Sequence, residues 1–319
     1  MVERDVLCFG ETMAMFVAAQ PGDLATVDGF GKRIAGADSN VAIGLARLGL
    51  RVQWLSRVGN DSLGAFVLDT LRQEGLDCSN VEIDAEHPTG FQLKERCDDG
   101  RDPKVEYFRR GSAASRLAPR QLQPGLLQAR HLHATGIPPA LSASCRALCH
   151  QLLDGMRANG RSISFDPNLR PSLWPDRPTM VREINALAFK ADWVLPGLEE
   201  GRLLTGRQSP QAIAEFYLEQ GVQCVAIKLG AQGAYWRDAR GEHGVVPGQP
   251  VAQVVDTVGA GDAFAVGVIS ALLEGLPLRR AVSRGNWCGS RAVQSRGDME
   301  GLPRRHELDR HEDAALNPC

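Results

Sequence analysis

The chain has 319 residues, a formal net charge of -2 at pH 7 and 43% hydrophobic residues, which suits one large α/β domain with a smaller appendage, or two modest domains. The near-neutral charge argues against nucleic acid as the main partner, because binding to a phosphate backbone requires a clear basic excess. No stretch approaches the ~18 consecutive apolar residues that a membrane span needs, so we expect no membrane partner.

Short apolar runs alternate along the chain with segments of helical periodicity. The runs that we predict as buried strands are 6–10, 52–55, 131–134, 162–165, 193–195 and 224–228. The segments that we predict as helices are 40–48, 63–74, 142–158, 180–189 and 211–219. Many of them are followed by a glycine, as helix C-caps prefer: Gly49, Gly75, Gly160 and Gly221. The alternation predicts a mostly parallel sheet with helices on both faces.

Two stretches break this alternation, at about 13–34 and 89–110. In the second, apolar residues fit two strands around a polar turn at 97–103: Phe91, Leu93, Val105, Tyr107 and Phe108. Extra strands inserted after a core strand suggest a small β-sheet lid. We therefore expect one α/β domain over 1–308 that carries this lid, followed by a loose polar tail at 309–319.

The first residues and the cysteines favour a cytoplasmic location. Glu3 and Asp5 are acidic and the segment around them lacks an apolar core, so we expect no secretory signal. The eight cysteines form no CxxC pair, which favours reduced buried thiols over zinc ligands or disulfides. His131 and His133 lie on a predicted strand, where packing is a better explanation than a paired metal site.

The most informative segment is 256–264, with the sequence Asp-Thr-Val-Gly-Ala-Gly-Asp-Ala-Phe. It follows an apolar run at 251–255, predicted as a strand, and precedes a helical run at 263–274. The Gly-Ala-Gly turn therefore lies at a helix N-terminus, where unpaired backbone N–H groups attract anions. An acid in the first helical turn, here Asp262, is also favourable for helix stability alone.

This segment resembles the second signature of the PfkB family, whose members phosphorylate sugars and nucleosides on a ribokinase-like fold. The resemblance implies that Gly259, Ala260 and Gly261 form an anion hole for the transferring phosphoryl group. It also implies that Asp262 is the catalytic base, which an aspartate of unperturbed pKa could be at pH 7 without tuning. No Walker A motif and no GxGxxG after a strand is present, which argues against P-loop NTPases and dinucleotide enzymes.

The segment 35–42 resembles the first signature of the family. Gly36 and Asn40 match positions that contact sugar hydroxyls, so the resemblance implies that both bind the substrate. Asp38 and Ser39 are good N-cap residues, so a capped helix would also explain the segment.

Further segments resemble the family's nucleotide site. Lys228, Gly230 and Gly233 match the strand and turn beside the nucleotide, and Asn286 lies in a segment similar to the helix that flanks the adenine. With Gly259 and Gly261, these are the nucleotide-binding residues that the resemblance implies.

The metal position departs from the family in one place. Glu200 matches the acid that helps to place Mg²⁺ through water, but Gly197 stands where the family has asparagine, and an exposed helix acid is the alternative for Glu200. The resemblance therefore implies ATP and Mg²⁺ as cofactors, and it leaves a monovalent cation open.

Three segments closely resemble the 2-keto-3-deoxygluconate (KDG) kinases of this family: 107–119, 166–174 and 296–303. The resemblance implies that Tyr107, Arg109 and Arg170 contact the acid and keto end of the sugar, and that Asp298 contacts its hydroxyls. Arginine binds a carboxylate through a bidentate fork that lysine cannot copy, although a surface salt bridge is the alternative for each arginine. Some relatives carry a tyrosine near Gln92 that this chain lacks, which leaves stereochemical selectivity open.

The expected reaction is the ATP-dependent phosphorylation of KDG to 2-keto-3-deoxy-6-phosphogluconate, as in Entner–Doudoroff-type sugar-acid breakdown. The alternatives are a ribokinase, fructokinase or nucleoside kinase, a kinase for 2-keto-3-deoxygalactonate or 5-keto-2-deoxygluconate, and a non-catalytic sugar sensor. Relatives often pair through their lid strands, so the resemblance also implies a homo-oligomer.

Overall fold

The computed structural model describes residues 4–97 and 103–316, so most of the predicted polar turn at 97–103 and the last residues of the predicted tail lie outside the described residues. The strands are β1 (Val6–Phe9), β2 (Met13–Ala18), β3 (Phe30–Ala35), β4 (Val52–Gly59), β5 (Asp77–Asp84), β6 (Phe91–Lys94), β7 (Val105–Phe108), β8 (His131–Thr135), β9 (Ser162–Asp166), β10 (Trp193–Val194), β11 (Cys224–Lys228), β12 (Ala234–Asp238) and β13 (His243–Val246). The helices are α1 (Ala37–Arg47), α2 (Ser62–Gln73), α3 (Pro138–Leu141), α4 (Ala143–Ala158), α5 (Arg177–Ala188), α6 (Leu198–Thr205), α7 (Pro210–Leu218), α8 (Ala260–Leu273), α9 (Leu278–Ala292) and α10 (Arg305–Leu316).

A nine-stranded sheet forms the centre, in the order β13-β12-β11-β10-β9-β8-β1-β4-β5. From β11 to β5 every neighbouring pair is parallel, whereas β12 and β13 are antiparallel additions at one edge. The inner strands are buried on both faces, which is why they stand out in the sequence as unbroken apolar runs. The predicted α/β fold with a mostly parallel sheet is confirmed.

Helices cover both faces of this sheet, and β1 shows how the two cores are divided. Val6 and Cys8 point into one apolar cluster, which contains residues of α1, α2, α8 and α9. Leu7 and Phe9 point into the other, which contains residues of α4, α5, α6 and α7. This alternation places two helical layers around one sheet.

A separate small sheet, with strand order β3-β2-β6-β7, comes from the two stretches that break the strand–helix alternation. Its two faces differ in chemistry. Gln92, Lys94 and Tyr107 line the cavity described below. On the other face, Phe91 stacks on Phe108 with ring centroids 4.6 Å apart, and Phe16 meets Phe91 edge-on.

The predicted strand at 251–255 is wrong. The backbone N–H groups of Val255 and Asp256 donate to the carbonyl of Val293 beyond the end of α9, at 2.7 and 3.2 Å. The hairpin of β12 and β13 provides that edge of the sheet instead, so the apolar run binds to a helix end rather than to a strand.

The predicted loose tail is also wrong as far as residue 316, because α10 continues through it. Leu308 is fully buried, and Glu312 accepts a hydrogen bond of 2.9 Å from Nε of the buried Arg284. His311 also stacks on Trp287, with ring centroids 4.6 Å apart, so apolar, aromatic and ionic contacts together hold this polar segment. Within the described residues, no helix is long and apolar enough to cross a membrane.

Candidate active site

Asp262 lies where the N-termini of two helices meet. Gly259 precedes α8 with a φ of 82°, a left-handed conformation that glycine adopts without strain. Gly36 precedes α1, and Asn40 in the first turns of that helix donates a hydrogen bond of 2.8 Å from Nδ2 to Asp262 Oδ2. The two signature segments, more than 200 residues apart, thus converge on one buried carboxylate.

The surroundings of Asp262 change its acidity. Burial raises the pKa of its carboxyl, while the Asn40 hydrogen bond, the charges of Lys228 and Arg170 and a hydrogen bond from Asn168 oppose this rise. The pKa of this carboxyl is therefore perturbed, whereas the sequence alone suggested an aspartate of unperturbed pKa. Amide donors and cations, rather than water, favour its ionised form.

A cavity of about 510 Å³ opens beside Asp262, between the small sheet and the carboxyl ends of the parallel strands. We call it the sugar-side cavity. Every residue that the sequence predicts to bind substrate lines it: Gly36, Asn40, Tyr107, Arg109, Arg170 and Asp298. Ligand sites in open α/β sheets lie at this end of the strands.

Arg109 is held by a buried acid that the sequence did not single out. Its Nε donates to Glu11 Oε2 at 2.7 Å, and Ser112 Oγ donates to the other oxygen of Glu11, which is 1% exposed. One edge of the Arg109 guanidinium is therefore occupied by hydrogen bonding to Glu11. Glu11 follows β1 closely, and its position just beyond a parallel strand is the signal that could have found it.

The loop after β9 places two more polar groups at the cavity. Asn168 has a φ of 37°, which is uncommon for a residue other than glycine, and its Nδ2 donates to Asp262 Oδ1 at 3.2 Å. Arg170 donates from Nη1 to the carbonyl of Leu169 at 2.9 Å and lies in the cavity wall. Asn168 was not predicted as a site residue, although it belongs to a segment that resembles KDG kinases.

Lys228 connects the sugar-side cavity with a second one. Its Nζ lies 2.6 Å from Asp166 Oδ2. The same Nζ lies beside Gly261, since a Cβ atom added at that glycine would be 3.4 Å away from it. Burial would lower the pKa of Lys228, but the carboxylates of Asp166, Glu200 and Asp262 outweigh it and raise the pKa. A charged ammonium group therefore lies at the start of α8.

The second cavity, of about 440 Å³, is the nucleotide-side cavity. All the residues predicted to bind nucleotide line it except Gly259, which lines the sugar-side cavity: Lys228, Gly230, Gly233, Gly261 and Asn286, with Ala260 beside them. Asn286 Nδ2 donates to the carbonyls of Val246 and Pro247 at 3.0 Å each, which ties α9 to the end of β13. Lys228, Thr257 and Gly261 line both cavities, so the two meet at the turn before Asp262.

Glu200 lines the sugar-side cavity, and both of its oxygens already accept backbone hydrogen bonds. The donors are the N–H groups of Gly197 and Leu169, each at 2.8 Å. A carboxylate has lone pairs left for water after two such bonds. The described part of the chain has no group of three or more His, Cys, Asp or Glu side chains that could hold a metal directly.

His131 and His133 pack within the sheet, as predicted. The two rings make hydrogen bonds of 2.8 to 2.9 Å with Ser162 and Ser164 on the neighbouring strand. Burial lowers the pKa of both, to about 3 for His133, where the charge of Lys228 acts in the same direction. These are neutral core histidines.

Comparisons with known proteins agree with this geometry. Residues 3–305 match the family described as pfkB family carbohydrate kinases. The chain is 53% identical over 309 residues to the 2-dehydro-3-deoxygluconokinase of Bacillus subtilis (strain 168), with 96% of this chain and 95% of that protein covered.

Solved structures show the same fold. A PfkB protein from Polaromonas sp. JS666 matches with a TM-score of 0.89 and 53% identity, covering 96% of this chain and 99% of that one. An Escherichia coli protein assigned as a ribokinase II, in complex with ATP and Mg²⁺, matches with a TM-score of 0.88 and 28% identity, covering 97% and 99%. Sequence, fold and site geometry lead to the same conclusion: the chain belongs to the pfkB family of carbohydrate kinases.

Proposed function

We propose that the chain transfers the γ-phosphoryl group of ATP to the C6 hydroxyl of KDG, also named 2-dehydro-3-deoxygluconate. The observation that carries this proposal is the position of Asp262, which lines the charged sugar-side cavity and directly follows Gly261, where this cavity meets the nucleotide-side cavity. Arg109 and Arg170 line the charged cavity and suit a substrate with a carboxylate. The 53% identity to a 2-dehydro-3-deoxygluconokinase supports the same sugar.

The proposed transfer is one displacement at phosphorus. Asp262 accepts the proton of the C6 hydroxyl while the hydroxyl oxygen bonds to the γ-phosphorus. The bond from that phosphorus to the β–γ bridging oxygen breaks, and ADP leaves with the electron pair. The N–H groups of Gly259, Ala260 and Gly261, together with the Lys228 ammonium, stabilise the negative charge on the transferring group.

The residues of the site fit MgATP. The nucleotide-side cavity ends at a helix N-terminus with small residues, where phosphates can approach the backbone closely. Mg²⁺ usually retains waters and binds substrate phosphates, so Glu200 can hold it through water without a cluster of direct ligands. When bound, Mg²⁺ neutralises charge on the phosphates.

Asp298 and Gln92 are proposed to select the sugar. Asp298 Oδ1 lies 3.2 Å from Lys94 Nζ in the cavity wall. A carboxylate accepts hydrogen bonds from sugar hydroxyls but repels a second carboxylate, so Asp298 favours contacts with hydroxyls. Tyr107 is half-exposed at the cavity mouth. Gln92 lies in the wall where some relatives have tyrosine, so a C4 epimer such as 2-keto-3-deoxygalactonate belongs in the substrate test.

The small sheet is proposed to act as a lid on the domain formed by residues 1–308. Closure would exclude water, which otherwise competes with the sugar hydroxyl as acceptor. We also propose that two copies pair through this sheet, since Phe108 is 48% exposed on its aromatic face. Light scattering should give a dimer or larger assembly, and Phe108→Ser should weaken it.

The compartment and pathway follow from the same proposal. The described cysteines other than Cys97 are buried free thiols, which agrees with a reducing cytoplasm where ATP is available. The product suits Entner–Doudoroff-type breakdown of sugar acids. We leave a monovalent cation out of the proposed cofactors because of the buried ammonium of Lys94, whose role is argued below.

The test is an ADP-release assay with KDG, 2-keto-3-deoxygalactonate, 5-keto-2-deoxygluconate, ribose, fructose and adenosine. We expect kcat/KM to be highest for KDG. A higher value for a neutral sugar or a nucleoside would contradict the acid-sugar proposal. Tight sugar binding without ADP release would indicate a sensor instead.

A further inference from the structure

Lys94, the last residue of β6, carries a buried ammonium group between two carboxylates. Its Nζ lies 2.7 Å from Asp256 Oδ2 and 3.2 Å from Asp298 Oδ1, and its side chain is 3% exposed. Burial would lower the pKa of Lys94, but Asp298 and Asp256 outweigh this effect and raise the pKa. The Lys94 side chain is therefore charged at neutral pH.

The two carboxylates belong to two segments that flank the turn at 259–261 in space, which we call the anion-hole turn. Asp256 Oδ1 accepts from the N–H of Val258 at 3.1 Å, so it shapes the chain just before Gly259. On the other side, a Cβ added at Gly259 would come within 2.4 Å of the Asp298 carbonyl oxygen. The turn is thus confined between two residues whose side chains meet at Lys94.

These carboxylates need a positive charge between them. The side chains of Asp256 and Asp298 are 10% and 7% exposed, so water screens them little. Without a cation they would have to separate, take up a proton or bind an ion. Separation would shift the segments that confine Gly259, next to the catalytic base, and protonation would remove the ion pair that holds the small sheet against them.

Space around Lys94 would admit a replacement ion. Lys94 lines the sugar-side cavity and also a separate cavity of about 250 Å³, which Asp256 lines as well. A side chain shortened to alanine would leave a polar gap between these two spaces. A small cation could then reach both carboxylates.

We propose that Lys94 is a positioning residue whose ammonium supplies the positive charge that Asp256 and Asp298 need between them. Its ammonium ties the small sheet to the anion-hole turn and makes phosphoryl transfer independent of added monovalent ions. The inference rests on the proposed function, because it assigns the turn at 259–261 its role in transfer. It predicts that a shortened side chain makes the enzyme dependent on a small cation.

The experiment compares wild type, Lys94→Ala and Lys94→Met with KDG and ATP. Each is assayed with tetramethylammonium as the only monovalent cation and then with K⁺ or NH₄⁺ at constant ionic strength. We expect Lys94→Ala to lower kcat by about 100-fold, as a misplaced catalytic turn does, and K⁺ or NH₄⁺ to recover about tenfold or more. Lys94→Met should lose activity similarly without recovery, because its side chain fills the gap.

Lys104→Ala is the matched control, since Lys104 pairs with Glu106 beside the small sheet but its side chain is 61% exposed. Its kcat should equal that of wild type in every salt. Two results would overturn the proposal: stimulation of wild type by K⁺, or a folded Lys94→Ala enzyme whose kcat is normal or unresponsive to K⁺ and NH₄⁺.

A second measurement separates folding from activity. The melting temperature of Lys94→Ala should rise with K⁺ more than that of wild type, and an equal response of the two proteins would count against an ion between the carboxylates. If Lys94→Ala does not fold in either salt, Lys94→Gln takes its place, and an unchanged kcat in that uncharged variant would overturn the inference. Failure of wild type to phosphorylate KDG would instead contradict the proposed function.

Discussion

The two cavities that meet at the turn before α8 differ in their chemistry. The sugar-side cavity is the charged cavity of the two, because the residues that line it include Glu11, Arg109, Arg170 and Asp298. The nucleotide-side cavity is lined mainly by glycines and apolar side chains, among them Val251, Val254, Phe264 and Val293. Among the residues of 4–97 and 103–316 that line the second cavity, only Lys228 carries a full charge.

This difference suits the two cavities to different tasks in the proposed reaction. Charges that are buried and paired can be aimed at the acid group, at the hydroxyl and at the transferring phosphoryl group. An apolar slot with small residues instead recognises a flat base by shape. Changes in the charged cavity should therefore alter kcat and substrate choice, whereas changes in the apolar cavity should alter the KM for ATP.

The largest effect is expected for Asp262→Asn, at the boundary of the two cavities. Asparagine keeps the size of the side chain but cannot accept the proton, so kcat should fall by about 10²- to 10⁴-fold while the KM for ATP changes little. Steady-state kinetics with KDG measures both quantities. Asp69→Asn, on an exposed face of α2, is the control that should retain full activity.

Arg170→Ala tests the charged cavity alone. Loss of a charge-assisted hydrogen bond should lower kcat/KM for KDG by about 10- to 100-fold and leave the KM for ATP near that of wild type. Arg207→Ala, exposed and outside both cavities, should behave as wild type. Equal losses in the two arginine variants would mean that Arg170 does not recognise the substrate.

Asn286→Ala tests the apolar cavity. It removes two hydrogen bonds that tie α9 to Val246 and Pro247, so the slot should loosen and the KM for ATP should rise about 2- to 10-fold. We expect kcat to stay the same. A fall in kcat at unchanged KM for ATP would place Asn286 in the chemical step and contradict the division between the cavities.

The smallest effect concerns stability beneath the charged cavity. Burial raises the pKa of Asp38 to about 7; the Thr135 hydrogen bond opposes this rise, and the charge of Asp262 adds to it. Asp38 Oδ2 has no hydrogen-bond partner among the described residues. The unfolded chain ionises this group near its ordinary pKa of 3.8, so between the two values the folded state binds more protons.

Stability from Asp38 is therefore present at low pH and lost as pH rises towards 7. The side chain that Asp38→Asn introduces does not titrate. The free energy of unfolding of this variant, relative to that of wild type, should therefore increase by up to about 1.4 kcal/mol for each pH unit in this window. Urea unfolding at several pH values measures the difference. A difference that stays constant with pH would show that Asp38 titrates alike in both states.

The sequence predicted the parts of the fold that depend on local periodicity. The six predicted strands of the parallel sheet are present, because strands buried on both faces are continuous apolar runs. The edge strands were missed: β5 has exposed polar positions, and the hairpin of β12 and β13 was not recognised. The apolar run at 251–255 was misread, because apolar composition alone does not show what the backbone binds to.

The motifs named individual residues of the candidate site, but they did not show which of these residues contact one another. Asp262 and Asn40 could be listed from their segments, but their 2.8 Å contact joins helices from opposite ends of the chain. The pairs Arg109–Glu11 and Lys94–Asp256 are also remote in sequence, 98 and 162 residues apart. No local period encodes such contacts. The first results from how α1 packs against α8, and the other two from how the small sheet and the segments beside it meet the rest of the domain.

The most direct test of the charged cavity compares KDG with its amide, in which an uncharged group replaces the carboxylate. We predict that wild type loses about 10- to 100-fold in kcat/KM on going from the acid to the amide, and that Arg170→Ala loses much less, because the partner charge is already gone. Equal kcat/KM of wild type for the acid and the amide would contradict recognition of a sugar acid in this cavity.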